Sequence, residues 1–200
     1  MTATSLTDGR SARAARTREA VVEALLELID KGNPRPTARE IADQAGVSLR
    51  SVYVHFDDLE DLFTAAAQKW FQRMTKLFRP LPTEGPLAER LEAFVAQRCR
   101  LLEVNAPVRQ AALLQEPFSP TLATVLQLGR KAARDQLELV FAPELGPERG
   151  AARQRLLAAL DVVAGTATWD TLRQHNDLSA EAARRVVAEM LTRLLAGRDG

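Results

Sequence analysis

The chain has 200 residues, 46% of them hydrophobic and 26% charged, with a formal net charge of +1. This is a globular composition, and a single cysteine, Cys99, excludes an intrachain disulfide framework and fits a reducing cytoplasm. A charge so near zero means that any affinity for a polyanion must rest on locally clustered cations.

In chain order, residues 1 to about 11 are polar and aperiodic and read as disordered. Arg10, Arg13, Arg16 and Arg18 then gather against one acid, Asp8. Two readings stay open: an arm that lies along phosphates or enters a minor groove, and a solvated helix start. From about Arg13 the stripe Val21, Leu25, Leu28 and Ile29 predicts a helix, ended by Lys31-Gly32-Asn33-Pro34.

Thr37 to Leu62 carries the most specific pattern. Thr37 and Glu40 have the spacing of a capping box, Ile41, Ala42 and Ala45 form an apolar strip, and Gly46 sits where the helix must stop. Ser48 caps a second short helix, with Val52 and Phe56 on one face. A methyl-sized residue at 42, Gly at 46 and a branched residue at 52 let the second helix cross close over the first, as a helix-turn-helix requires. The outward face then holds Leu49, Arg50, Ser51, Val54 and His55. A helical hairpin of this shape also occurs in proteins that bind other proteins, and that reading remains open. With DNA as partner, Arg50 is the candidate for reading a guanine edge, Ser51 and Leu49 are secondary, and Val54 is placed for a thymine methyl. Thr37, Arg39, Ser48, Tyr53 and His55 are candidates for holding the phosphate backbone. For Tyr53 the alternative is a half-buried core ring.

Asp57-Asp58 caps a helix expected to run to about Arg79, and Pro80, Pro82, Gly85 and Pro86 break the chain after it. Further helices are predicted over Leu87–Leu102, Pro107–Leu114 and Leu122–Val140, with a last pair at about 148–174 and 179–196. The small residues Ala158, Ala159, Ala164, Gly165 and Ala167, with apolar residues on more than one side of this pair, suit a flat two-fold interface with a second copy; the alternative is a hairpin that only closes the monomer core. No segment shows strand alternation, so the expectation is an all-α fold of about nine helices. Residues 1–60 read as a helix-turn-helix domain with a basic arm, and 61–200 as a larger helical domain, with the boundary inside the connecting helix.

No catalytic constellation, metal-ligand spacing or phosphate loop is present, so neither an enzyme nor a cofactor or metal is expected. The apolar runs are too short for a membrane span and the N-terminus lacks a signal-peptide core, which points to the cytoplasm and no membrane partner.

The run Ile41-Ala42, Ala45-Gly46-Val47-Ser48 and Tyr53-Val54-His55-Phe56 resembles the DNA-binding segment of TetR-type (TetR/AcrR family) transcriptional regulators, over roughly the first third of the chain. One departure is Leu59, near which the family commonly has a phosphate-contacting Lys. The resemblance implies a homodimer paired through its last two helices on a palindromic operator in double-stranded DNA, mostly acting as a repressor. It also implies a small-molecule effector, hydrophobic if the lining is apolar, held among the middle helices. Candidates for that lining are Trp70, Phe71, Met74, Phe94, Phe118 and Trp169, with Arg98, Gln115, Asp170 and Arg173 as polar handles. The rival reading is a helical adaptor whose helix-turn-helix binds a protein partner.

Overall fold

The structure is a computed structural model that describes residues 4–146 and 149–196. It is all-α: among the described residues there are ten α-helical spans, one of them a single turn, and no strand. Two compact units share the chain, residues 1–76 with 106–126 and residues 77–105 with 127–200.

The first unit begins with α1 (Thr4–Asp30), followed by α2 (Ala38–Ala45), α3 (Leu49–His55) and α4 (Leu59–Thr75). The disordered start expected for residues 1 to about 11 is corrected from Thr4 onward, where the chain is already helical; residues 1–3 lie outside the described residues. The reason is cooperative growth: once Val21 to Ile29 anchor the helix, the Ala- and Arg-rich stretch before them adds turns at little cost. Val21, Val22, Leu25, Leu26 and Ile29 of α1 pack with Ile41, Ala42, Val52, Phe56, Leu62, Ala65 and Ala66 in one core. Val108 and Ala111, from the end of α5 (Leu87–Gln115), complete it. At its rim Lys69 of α4 reaches Glu19 and Glu23 of α1, both at 2.6 Å, and Arg73 pairs with Glu23 as well. α4 stops at Thr75, capped by Lys76, short of the Arg79 expected.

α5 also corrects the expectation of two helices. Pro107 lies inside it and does not end it. Proline removes one backbone donor and crowds the preceding turn. Apolar burial on both sides of it, Leu101 and Leu102 before and Val108 and Ala111 after, keeps the helix going. A short 3-10 turn (Glu116–Phe118) then leads to α6 (Pro120–Val140). Ser119 caps α6, accepting from Leu122 N at 3.2 Å, so Pro120 starts this helix at the position where its missing N–H costs nothing.

The second unit contains the rest of α5 and α6, then α7 (Ala142–Leu145), α8 (Gly150–Val163), α9 (Thr166–Asp170) with a π-helical turn (Thr171–His175), and α10 (Ala180–Ala196). Its core joins Phe94, Val95 and Cys99 to Leu137, Phe141, Leu157, Leu160, Trp169, Val187 and Leu191. Phe94 and Phe141 meet edge to face at 5.2 Å. Burial pushes the Cys99 thiol up to about 12, so it behaves as a small apolar side chain. Arg90 is 2% exposed; it pairs with Glu144 and donates to Val140 O at 2.6 Å and Gly85 O at 3.1 Å.

The single helix expected over about 148–174 is broken. Glu148, its expected start, lies outside the described residues, and the chain leaves the helix at Ala164–Gly165. A Cβ at position 165 would stand 2.8 Å from Asp161 O and 3.2 Å from Val162 O, so the break needs glycine there. At Gly129, in α6, a Cβ would meet nothing within 4 Å. Gly165→Ala should therefore lower stability by about 1–3 kcal/mol through overpacking. Gly129→Ala should raise it by about 0.5–1 kcal/mol through helix propensity. Urea unfolding midpoints of the two variants should move in opposite directions.

Candidate nucleic-acid interface

The helix-turn-helix is built by local hydrogen bonds. Thr37 Oγ1 accepts from Glu40 N at 3.3 Å, while the Thr37 N–H donates to Glu40 Oε2 at 2.7 Å, the reciprocal pair of a capping box. The Thr37 hydroxyl also donates to that carboxylate at 2.7 Å, and Asn33 Nδ2 donates to its other oxygen at 3.3 Å. These bonds, the Thr37 backbone amide first, hold the Glu40 carboxyl below its ordinary range. α2 ends at Gly46, whose φ of 67° is left-handed. The Val47 N–H donates to Ala42 O at 3.0 Å and the Gly46 N–H to Asp43 O at 3.2 Å, which closes the helix in a Schellman motif. Ser48 then opens α3, accepting from Ser51 N at 3.1 Å.

α3 is amphipathic across its short length. Val52 is 1% and Phe56 2% exposed, both in the core, with Phe56 closing the helix by donating to Val52 O at 3.0 Å. On the other side Arg50 is exposed, Tyr53 is 54% and Val54 69% exposed, and Leu49 stands at the margin. Ser51 and His55 are half-buried, and the Ser51 hydroxyl shares a 2.9 Å hydrogen bond with that of Ser48. Thr37, Arg39 and Ser48 are exposed on the neighbouring turns. All nine candidates for DNA thus lie within α2, α3 and their caps. Leu59 is half-buried and packs against the core of the first unit.

One feature of this face was missed in the sequence. The guanidinium of Arg18, on α1, lies over the Phe56 ring at 4.6 Å from its centroid, with Nη2 4.0 Å from Asp61 Oδ1. No local pattern announces a contact between residues so far apart in the chain.

The effector candidates are not gathered in the same way. Phe94, Arg98, Trp169, Asp170 and Arg173 belong to the second unit, Trp70, Met74 and Phe118 to the first. Phe118 is 71% exposed on the 3-10 turn, where with Gln115, Phe63 and Leu59 it borders a groove of about 310 Å3. Trp70 packs on the first core, and Phe71 is largely exposed. In the second unit Arg98 is 7% exposed, sits 5.0 Å from the Phe94 ring, and donates from Nη2 to Ala133 O at 2.7 Å and Gln136 Oε1 at 3.0 Å. Burial pulls it down to about 10. Trp169 Nε1 and Arg173 converge on Glu103, at 2.9 and 2.8 Å. Among the described residues, no cluster of three or more His, Cys, Asp or Glu has the arrangement to hold a metal ion, and no helix is long and apolar enough to cross a membrane.

The Glu103 carboxyl is held below its ordinary range by the Arg173 guanidinium, against burial, with the Trp169 indole helping. A carboxyl lowered by folding contributes stability at neutral pH. That contribution falls away as pH drops through the ordinary carboxylate range to the group's own lower value. Glu103→Gln should therefore flatten the acid limb of a melting-temperature profile between about pH 5 and pH 2, and change it little from one pH to the next above that window.

Residues 21–66 match the family of bacterial regulatory proteins described as the tetR family. The fold is similar to that of a TetR-family transcriptional regulator from Streptomyces coelicolor, with a TM-score of 0.69 and 22% identity over 92% of this chain and 84% of that one. A transcriptional regulator from Rhodococcus sp. Rha1 gives 0.67 and 21% over 92% and 98%. A TetR transcription regulator from Haloarcula marismortui gives 0.65 and 16% over 92% and 98%. No curated protein matches the chain by sequence. Residues 21–66 thus match the tetR-family model over the helix-turn-helix, and the chain around them has a fold similar to that of TetR-family transcriptional regulators.

Proposed function

We propose that the protein is a cytoplasmic, ligand-responsive transcriptional repressor that binds a palindromic operator as a homodimer and lets go when a small, largely hydrophobic molecule binds its C-terminal part. The observation that carries this reading is the division of α3. Val52 and Phe56 are locked in the core while Arg50, Tyr53 and Val54 stand outward on a helix capped at both ends. In this reading residues 1–60 bind DNA, and 61–200 hold the effector and the dimer contact. The arginine fork on Arg50 suits a guanine edge in the major groove, and exposed hydroxyls and helix-start amides suit phosphates.

One short helix buries too little for a specific complex. Two copies related by a two-fold axis place two recognition helices about 34–36 Å apart, or a multiple of that, in successive major grooves. Val162 on α8 is 68% exposed and Met190 on α10 is 38% exposed, and such apolar surface on the last helix pair supports pairing there. For the effector, Phe94 and Trp169 of the second unit are apolar and Arg98 is cationic, all three buried, a chemistry that suits a largely hydrophobic molecule.

Val54 and Leu49 on the outward face are also what a protein-binding adaptor would show. A gel shift with the flanking intergenic DNA at two salt concentrations decides between them. Sequence-selective retardation that weakens with salt is expected of the regulator, and none of the adaptor. Arg50→Ala should erase preference for the operator over random DNA, worth about 1–3 kcal/mol, while Tyr53→Phe should weaken binding evenly across sequences. Equal losses on both DNAs for Arg50→Ala remove Arg50 from base reading. Val162→Glu should turn a dimer into a monomer in sedimentation and cost operator affinity with it.

A further inference from the structure

We propose that Arg18, on α1 and outside the helix-turn-helix, is a preorganised phosphate-binding fork that adds a backbone contact beside the recognition helix. The inference rests on the reading of the first unit as a DNA-binding module. Three features single this side chain out among the arginines of the unit. Its guanidinium is seated, because its carbon lies over the ring of Phe56, 4.6 Å from the centroid, a ring that is itself 2% exposed and ends α3. Stacking uses the face of a guanidinium and leaves its N–H donors around the edge.

Those donors are uncommitted. The nearest carboxylate oxygen, Asp61 Oδ1, is 4.0 Å from Nη2, too long for a hydrogen bond, and Arg18 has no other polar partner among the described residues. The site is also open: the side chains of Arg18 and Asp61 are 46% and 44% exposed. A phosphate oxygen can therefore take the place that the carboxylate occupies loosely, and accept two parallel N–H bonds. Because the guanidinium already rests over the ring, less rotamer freedom is lost on binding than for an unrestrained arginine. Phe56 follows directly on His55 and comes three residues after Tyr53, so the fork stands at the end of the recognition helix.

The measurement is the salt dependence of DNA affinity for the full-length protein, using two duplexes of equal length, one of flanking intergenic sequence and one random. Removing one phosphate-binding cation lowers the slope of log K against log salt by about 0.9. Across a fourfold range of salt, wild type should thus weaken about three- to fourfold more than Arg18→Met, which keeps the stem over the ring. The change should be the same on both duplexes, with an unchanged melting temperature. Arg18→Lys should keep the slope and bind more weakly, having the charge without the fork. Asp61→Asn should raise affinity in the wild-type background more than in the Arg18→Met background. An unchanged slope in Arg18→Met, or equal effects of Asp61→Asn in both backgrounds, overturns the assignment and leaves Arg18 as a strut between α1, α3 and α4. Failure of wild type to bind either duplex overturns this inference together with the DNA-binding reading.

Discussion

The close crossing of α2 and α3 is the constraint on which the interface depends. Ala42 is 2% exposed and shares one core with Val52, and a methyl there keeps α2 slim where α3 packs on it. The crossing also needs an abrupt stop, supplied by the left-handed Gly46 and its two Schellman hydrogen bonds, and an immediate restart, supplied by Ser48. With Val52 and Phe56 thus held inward, the helical period leaves Arg50, Tyr53 and Val54 no direction but outward. A larger side chain at 42 would push α3 away, and the outward face would lose its definition before the unit lost its fold.

The helices around this joint keep it in place by burial first and by ion pairs second. α1 lends Val21, Val22, Ala24, Leu25, Leu26 and Ile29 to the core, a far larger contribution than any surface pair. The link from Lys69 and Arg73 to Glu19 and Glu23 lies at the rim, where each pair is worth little alone, but two cations shared between two carboxylates fix the register of α4 on α1. In the second unit the balance differs. Arg90 is fully buried against the partly exposed Glu144, a pair whose desolvation is offset only because two backbone carbonyls complete the hydrogen bonds of Arg90. Such a pair specifies one arrangement of α5 against α6 and α7 more than it stabilises it.

What the sequence disclosed follows the range of the interactions. The helix-turn-helix was legible because each determinant is local: Thr37 with Glu40, Gly46 at a helix end, Ser48 with Ser51, Val52 with Phe56. The all-α class was legible from period alone. Pro107 was misread because its local cost is real, and only burial contributed from both sides of it outweighs that cost. Gly165 was read as a small residue for close packing, whereas its role is to let the chain leave a helix against the carbonyls of Asp161 and Val162. Arg18 was visible as a cation, but not as one seated on Phe56. The effector candidates are mostly aromatics of the middle helices, and nothing in a linear pattern says that Phe118 faces solvent while Trp169 is buried and bonded to Glu103.

A net charge of +1 looks unpromising for a polyanion partner, and the placement of several acids of the first unit bears on this. Glu19 and Glu23 are engaged with Lys69 and Arg73, Glu40 is turned back into the Thr37 cap, and Asp58 caps α4 by accepting from Asp61 N. Each of these carboxylates is held by a cation or by backbone N–H groups, so its field is offset at short range. By contrast, Arg35, Arg39 and Arg50 are exposed, and none has a carboxylate within 4.0 Å among the described residues. Screening confines surface charges to a reach of about 8–10 Å, so a phosphate near α3 senses this local set and not the sum over the chain. Asp43, Asp57 and Glu60 are exposed as well, and Asp61, in the first turn of α4, stands 4.0 Å from a guanidinium without bonding to it. An exposed carboxylate left that loosely paired opposes an approaching phosphate, and it is also easily displaced by one.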